Sequence, residues 1–229
     1  FAVLYRTNSQ SRAFEEALRK LNLPYRIVGG LSFYQRKEVK DLLAYFRLTI
    51  NPKDEEAFKR IINYPARGIG DTTLNKIILT AQKSGTSLWE IARHAEQYDF
   101  ETRVKRPVSD WADMIESFMM QAESKNAYEL AQEIAKNSGL LRHLYEDKTI
   151  EGISRYENIQ ELLGAIKEFS VRPDLENNHM ATFLQDVALL TDADQQDDSD
   201  DRITLMTIHQ AKGLEFPMVY IVGLEENLF

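Results

Sequence analysis

Residues 203–222 read ITLMTIHQAKGLEFPMVYIV, and this stretch decides the fold. Two apolar, β-rich runs, 203–208 and 218–222, flank a polar segment holding His209, Lys212, Gly213 and Glu215. Short β-branched runs bounded by Gly and Pro predict strands. A His, a Lys, a Gly and a Glu at a strand's end carry more chemistry than a plain turn needs. Open α/β sheets bind ligands at the carboxyl ends of their strands. Imidazole can stack on a base or donate to a phosphate, and Lys212 adds a point charge. Gly213 permits positive φ or close backbone approach. Glu215 can accept from ribose hydroxyls. The same residues also make a polar β-turn without a ligand.

Matching elements stand at the other end of the chain. Residues 2–5 (AVLY) and 25–28 (YRIV) read as strands, and Ala13, Phe14, Ala17, Leu18 and Leu21 recur between them at helical spacing. Asn8 and Ser9 are helix-start candidates. Strand, helix, strand is the opening of an α/β sheet. After Gly29-Gly30 the pattern turns helical. Stripes run through Val39 to Ile50, Ala57 to Ile62, Leu74 to Ala81, Leu88 to Ala92, Val108 to Ala122, Tyr128 to Ala135, Ile153 to Phe169 and Met180 to Leu190. Their Met and Trp residues are expected in the core. The expected fold is mainly α with a small α/β part, a parallel sheet from both chain ends interrupted by a large all-α insertion. The boundaries are 1–28 and 202–229 for the sheet part and 29–201 for the insertion, with Gly29 and Gly30 as one hinge and the acidic run 192–201 as the other.

The totals agree with a globular class: 43% hydrophobic, 28% charged and no cysteine, which excludes disulfides and thiolate metal sites. No apolar stretch approaches a membrane span, and no signal peptide is visible. The chain opens on Phe1 in a strand-like run and stops at Phe229 after another, so a piece of a longer protein is expected. Net charge is −8, yet residues 1–48 carry nine Lys/Arg against four acids. Screening limits distant charges, so a local basic face can still meet phosphate. The run 192–201 holds six Asp. As a calcium loop it fails, because Asp197 and Ile203 occupy the positions for Gly and Glu. A solvated linker is the reading kept.

Two further stretches carry chemistry. YRTNSQSR (residues 5–12) follows a strand and leads into a helix, so Arg6, Asn8 and a helix N-terminus converge on the same sheet edge. N-capping by Asn8 or Ser9 beside a surface Arg explains the same residues. YPARGIGDTTLNKI (residues 64–77) resembles a helix–hairpin–helix turn, whose glycines let backbone N–H groups face a phosphate. Lys59, Arg60, Arg67 and Lys76 surround it. An ordinary tight turn with an Asp cap is the alternative. There is no G-x-x-x-x-G-K-[ST] loop and no H-E-x-x-H, and the four histidines have no metal spacing. No catalytic residue and no metal ligand is assigned.

Taken together, these stretches resemble superfamily 1 DNA helicases of the UvrD/Rep/PcrA type over nearly the whole chain. AVLYRTNSQSRAFEEAL is similar to the family's motif IVa, and YRIVGGLSFYQRKEVKDLLAYFRL to motif IVb and the start of the inserted 2B domain. RGIG resembles the 2B duplex-contact motif. ITLMTIHQAKGLEFPMVYIVGLEE resembles motif V, with Gln210 where Ala or Ser is common. The resemblance implies part of a RecA-like motor domain (2A) carrying an inserted 2B domain, in a 3′→5′ helicase that uses ATP and Mg2+. It implies single-stranded DNA contacts at Arg6, Asn8, Thr207 and His209. It implies nucleotide contacts at Gly213 and Glu215 with support from Lys212, and duplex contacts at Gly68, Gly70 and Thr72. The implied partners are DNA, single-stranded and at a single/double-strand junction, and repair or replication proteins, with no membrane and a cytoplasmic location. The phosphate loop would lie outside this chain, leaving it inactive alone. The rival readings are a non-catalytic DNA-junction or protein-binding module, and the helicase arm of a helicase–nuclease.

Overall fold

A computed structural model describes residues 1–173, 175, 177–192 and 202–224. Strands β1 (Ala2–Tyr5), β2 (Tyr25–Ile27), β3 (Ile203–Thr207) and β4 (Val219–Ile221) form one parallel sheet in the order β2-β3-β1-β4. Tyr5 lies opposite Thr207, Ala2 opposite Val219 and Tyr25 opposite Ile203. The inner strands are apolar and buried at Ala2, Leu4, Tyr5, Leu205 and Met206, as parallel strands covered on both faces should be. All three residues of β4 are exposed.

Helix α1 (Ser11–Lys20) follows β1 through a 3-10 turn at Asn8–Gln10. Between β2 and β3 run α2 (Lys37–Ile50), α3 (Glu55–Ile61), α4 (Asp71–Ser84), α5 (Leu88–Arg93), α6 (Thr102–Ala122), α7 (Ala127–Asn137), α8 (Leu140–Glu146), α9 (Ile150–Ser170) and α10 (Met180–Asp192). The chain is therefore mainly α with a small parallel sheet. Helix α2 is the centre of the helical block, with Val39, Leu42, Tyr45, Phe46 and Leu48 all buried. Trp111 packs edge-on to Phe58 at 5.1 Å and to Trp89 at 6.2 Å, so both Trp residues are core. Side chains close the starts of α3, α5, α7 and α9: Asp54 accepts from Ala57 N, Ser87 from Glu90 N, Asn126 from Glu129 N and Thr149 from Gly152 N.

Two helices differ from the sequence reading. α6 begins at Thr102, not Val108, and carries Pro107 inside it. Proline cannot donate to the carbonyl four residues back. The preceding turn is held instead by Val104 and Lys105 N–H groups donating to Glu101 O. α8 has no counterpart in the sequence reading. It enters from Gly139 at φ +82° and buries only Leu140 and Leu144.

A polar seam joins the two parts. The Arg12 guanidinium on α1 meets Glu16 at 3.0 Å, Glu161 on α9 at 2.6 Å and Glu168 at 3.4 Å. Arg36 donates to Ser11 Oγ and to Asn158 Oδ1. Buried Glu15 accepts from Ser11 Oγ and from Phe33 N. Burial raises the Glu15 carboxyl above its ordinary range, although Ser11, Phe33 N–H, Arg36 and Arg19 pull the other way. A cavity of about 360 Å3 follows this seam, lined by Arg12, Glu16, Tyr34, Phe169, Phe183 and Val187. The acidic linker lies outside the described residues beyond Asp192.

Candidate nucleic-acid interface

The loops after β1 and β3 leave the sheet side by side. Ile208 N donates to Tyr5 O at 2.9 Å, which carries the parallel pairing past the last paired residues. Arg6 is exposed and Asn8 half-buried on one loop; His209, Lys212, Gly213 and Glu215 are exposed on the other. Gly213 has φ +84°, so the glycine read there meets a backbone need. After β3 the chain makes a helical turn, with Ala211 N donating to Thr207 O and Leu214 N to Ala211 O. The turn presents the polar groups outward while Ala211 and Phe216 pack on the small sheet core. Thr207 differs from its neighbours: it is buried, and its Oγ1 accepts from Gln210 N at 3.2 Å. Its hydroxyl shapes the turn.

At the entrance to the helical block, Gly29 has φ +72° and Gln210 Nε2 donates to its carbonyl at 3.1 Å. Gly30 follows, exposed. Gln210, which the sequence reading noted only as a residue where Ala or Ser is common, is thus a side chain joining the two candidate regions.

The turn before α4 lies elsewhere, on the helical block. Gly68, Gly70, Asp71 and Thr72 are exposed, Gly68 has φ +77°, and open space lies where a Cβ of either glycine would stand. Gly70 is the N-cap and Asp71 the first helical residue. The backbone here can approach a phosphate closely, with the first turn of a 14-residue helix behind it. The surrounding cations are arranged differently from the sequence picture. Arg67 turns inward: Nη1 donates to Ile61 O and Pro65 O, and Nη2 to Tyr45 Oη at 2.6 Å and Ser138 O at 2.7 Å. Burial pushes the Tyr45 phenol up to about 12, outweighing Arg67, so it stays protonated and donates to Tyr64 O. Asn63 Oδ1 accepts from both Arg67 N and Ile69 N. Arg60 pairs with Asp41 at 2.7 Å and Lys59 with Glu55 at 2.8 Å. Lys76 is exposed, its ammonium 6.0 Å from the Phe100 ring centroid.

Among the described residues, no group of three or more His, Asp or Glu is placed to hold a metal ion. Among the same residues, no helix is long and apolar enough to cross a membrane.

The family model for the UvrD-like helicase C-terminal domain matches residues 1–229. The chain belongs to that family. It is 42% identical over 234 residues to the ATP-dependent DNA helicase PcrA of Bacillus subtilis (strain 168), covering all of this chain and 31% of the relative. It is 39% identical over 228 residues to the ATP-dependent DNA helicase PcrA of Staphylococcus aureus (strain Mu50 / ATCC 700699), again all of this chain and 31% of the relative. The UvrD-like C-terminal chain thus spans about a third of the length of these relatives. It is homologous to the C-terminal part of PcrA helicases.

Proposed function

We propose that this chain is the 2A/2B portion of an ATP-dependent 3′→5′ DNA helicase. Residues 1–28 and 202–229 belong to the motor domain, and 29–201 to the inserted domain, with Gly29 and Gly30 at its hinge. The observation that carries the reading is the single sheet edge on which Arg6, Asn8 and His209 stand beside Lys212, Gly213 and Glu215. Arg6, Asn8 and His209 meet single-stranded DNA, with Thr207 setting the turn beneath them. Glu215 meets the nucleotide ribose, and the Gly213 backbone approaches the nucleotide beside Lys212. Both ligands press on one short loop, so the grip on DNA alternates with the nucleotide state. ATP closes two motor domains on each other and its hydrolysis reopens them. Gly68, Gly70 and Thr72 hold the duplex ahead of the junction through backbone contacts. Mg2+ would be held by segments outside this chain. The whole protein would work on DNA in the cytoplasm, with repair or replication proteins as further partners.

Two measurements test this. Fluorescence anisotropy compares binding of the chain to single-stranded DNA and to a duplex with a 3′ tail over a salt series. Tighter binding to the tailed duplex, with log K falling against log salt by about 0.9 per phosphate contact, is expected. In the whole protein, single-stranded DNA should stimulate ATP hydrolysis and His209→Ala should weaken that stimulation. A whole protein whose ATPase ignores DNA would refute the motor.

A further inference from the structure

Two turns at this sheet edge are built on one pattern. Thr7-Asn8-Ser9-Gln10 follows β1, and Thr207-Ile208-His209-Gln210 closes β3. In each, the glutamine Oε1 accepts from backbone N–H groups at the head of the turn. For Gln10 these are Arg6 and Thr7, both at 3.0 Å, and for Gln210 it is Thr207 at 2.9 Å. In each, Nε2 donates to the carbonyl of a glycine beyond an outer strand, Gly223 at 3.4 Å and Gly29 at 3.1 Å. Both glycines are left-handed, at φ +68° and +72°. A Cβ would stand 2.2 Å from Gln10 Nε2 at Gly223 and 2.7 Å from Gln210 Nε2 at Gly29. Each glycine therefore serves twice, for its φ and for the amide's approach. In the order β2-β3-β1-β4, Gln210 ties the end of β3 to the end of β2, and Gln10 ties the end of β1 to the end of β4.

We propose that Gln210 is a positioning residue that holds the His209 turn to Gly29, the point where the helical block begins. This rests on the reading of His209 as a single-stranded DNA contact. His209 is the chain neighbour of Gln210, and its backbone is fixed between two anchors on the same side chain. One anchor is Thr207, within β3; the other is Gly29, at the start of the insertion. Loss of the amide leaves the turn its backbone bonds and the Thr207 Oγ1 acceptor, and leaves Gly29 without the side-chain bond, one residue past the bond from Val28 N to Leu205 O. Among the described residues, Gln210 carries the side-chain bond from this turn to Gly29.

The test uses the whole protein and a single-stranded oligonucleotide. The readouts are the DNA concentration giving half-maximal ATPase stimulation and the maximal stimulated rate. A hydrogen bond of this kind contributes about twofold to tenfold in an equilibrium constant. Gln210→Ala should therefore raise the half-saturating DNA concentration by about twofold to tenfold, with the maximal rate largely kept. Gly29→Ala should do the same, because its Cβ evicts the amide. The double variant should be no worse than the worse single, since both break one link. Multiplying effects in the double variant would overturn the proposal, as would wild-type behaviour of Gln210→Ala. If Gly29→Ala does not fold, Gln210→Glu replaces it. Its carboxylate still accepts from Thr207 N–H but cannot donate to Gly29 O, and its charge repels both that carbonyl and DNA phosphate, so binding should weaken by at least about twofold. Wild-type behaviour of Gln210→Glu would overturn the Gly29 link. Absence of DNA stimulation in the wild type would instead refute the motor reading, which separates the two failures.

Discussion

Replacing Arg67 by Ala separates two ways in which a cation can serve the turn at Gly68 and Gly70. If its charge meets phosphate, its loss removes one ionic contact. The geometry says otherwise, because the guanidinium donates to three backbone carbonyls and the Tyr45 hydroxyl. Hydrogen bonds from a charged group contribute about 1.5–3 kcal/mol each, but they share one side chain and do not add. Arg67 is half-buried, so water reaches some of the vacated acceptors. A net loss of about 2–4 kcal/mol is expected. With a urea m-value of about 2–3 kcal/mol/M, the midpoint should fall by about 1 M or slightly more, with m unchanged. Binding to a tailed duplex should weaken at every salt concentration while the slope of log K against log salt stays the same. Arg67→Lys keeps the charge but cannot form the fork, so it should behave like Arg67→Ala. The reasoning is refuted by an unchanged urea midpoint together with a slope shallower by about 0.9, the signature of one lost phosphate contact.

Other expectations follow from single groups. Asp54 caps α3 and accepts two bonds from Arg47. Burial opposes its ionisation, but Arg47 and the Ala57 N–H outweigh burial and hold the carboxyl below its ordinary value. Its contribution is therefore present above the unfolded pKa and lost as pH falls through the folded one. Asp54→Ala should cost about 1–2 kcal/mol at neutral pH, and urea melts should show the difference from wild type shrinking in strong acid. Glu15 has the opposite sign: its raised pKa gives stability that is full below the unfolded value and lost as pH rises through the folded one. Glu15→Gln should thus gain on the wild type between about pH 4.3 and neutrality; a constant difference in urea midpoints would refute the assignment. Strand β4 exposes Tyr220 and Ile221 to 51% and 53% on a sheet edge. Sedimentation should show this chain self-associating with concentration and Ile221→Lys reducing it; a strictly monomeric chain would count against that view.

The inner strands were legible because burial on both faces favours apolar and β-branched residues in a row, as in the unbroken apolar run at residues 2–5. The helices between β2 and β3 were legible from their apolar stripes, and the positive φ at Gly213 from a glycine in a polar turn. α8 was not, because a seven-residue helix with two buried leucines carries too little periodicity. The first turn of α6 was not legible because the apolar stripe begins only at Val108, and the turn before Pro107 is held by Val104 and Lys105 N–H groups on Glu101 O. Arg67 read as a surface cation because Ser138 O, one of its acceptors, lies 71 residues away in sequence. Gln210 looked unimportant because its partner, Gly29, lies 181 residues back. Side-chain bonds between distant segments leave no periodic trace.

The pairing of β2 with β3 has a consequence for how the chain could be rebuilt. The two strands are neighbours and parallel, yet residues 28–202 separate them. A parallel pair cannot be closed by a tight hairpin and needs a crossover of a dozen or more residues. The helical block therefore stands in the place of an ordinary crossover helix, and deleting it demands a substitute that spans the sheet, not a two-residue splice. Closing such a loop costs entropy that grows only slowly with its length. A block that folds first turns that long loop into a fixed pair of ends, so assembly of the sheet should wait on the insertion.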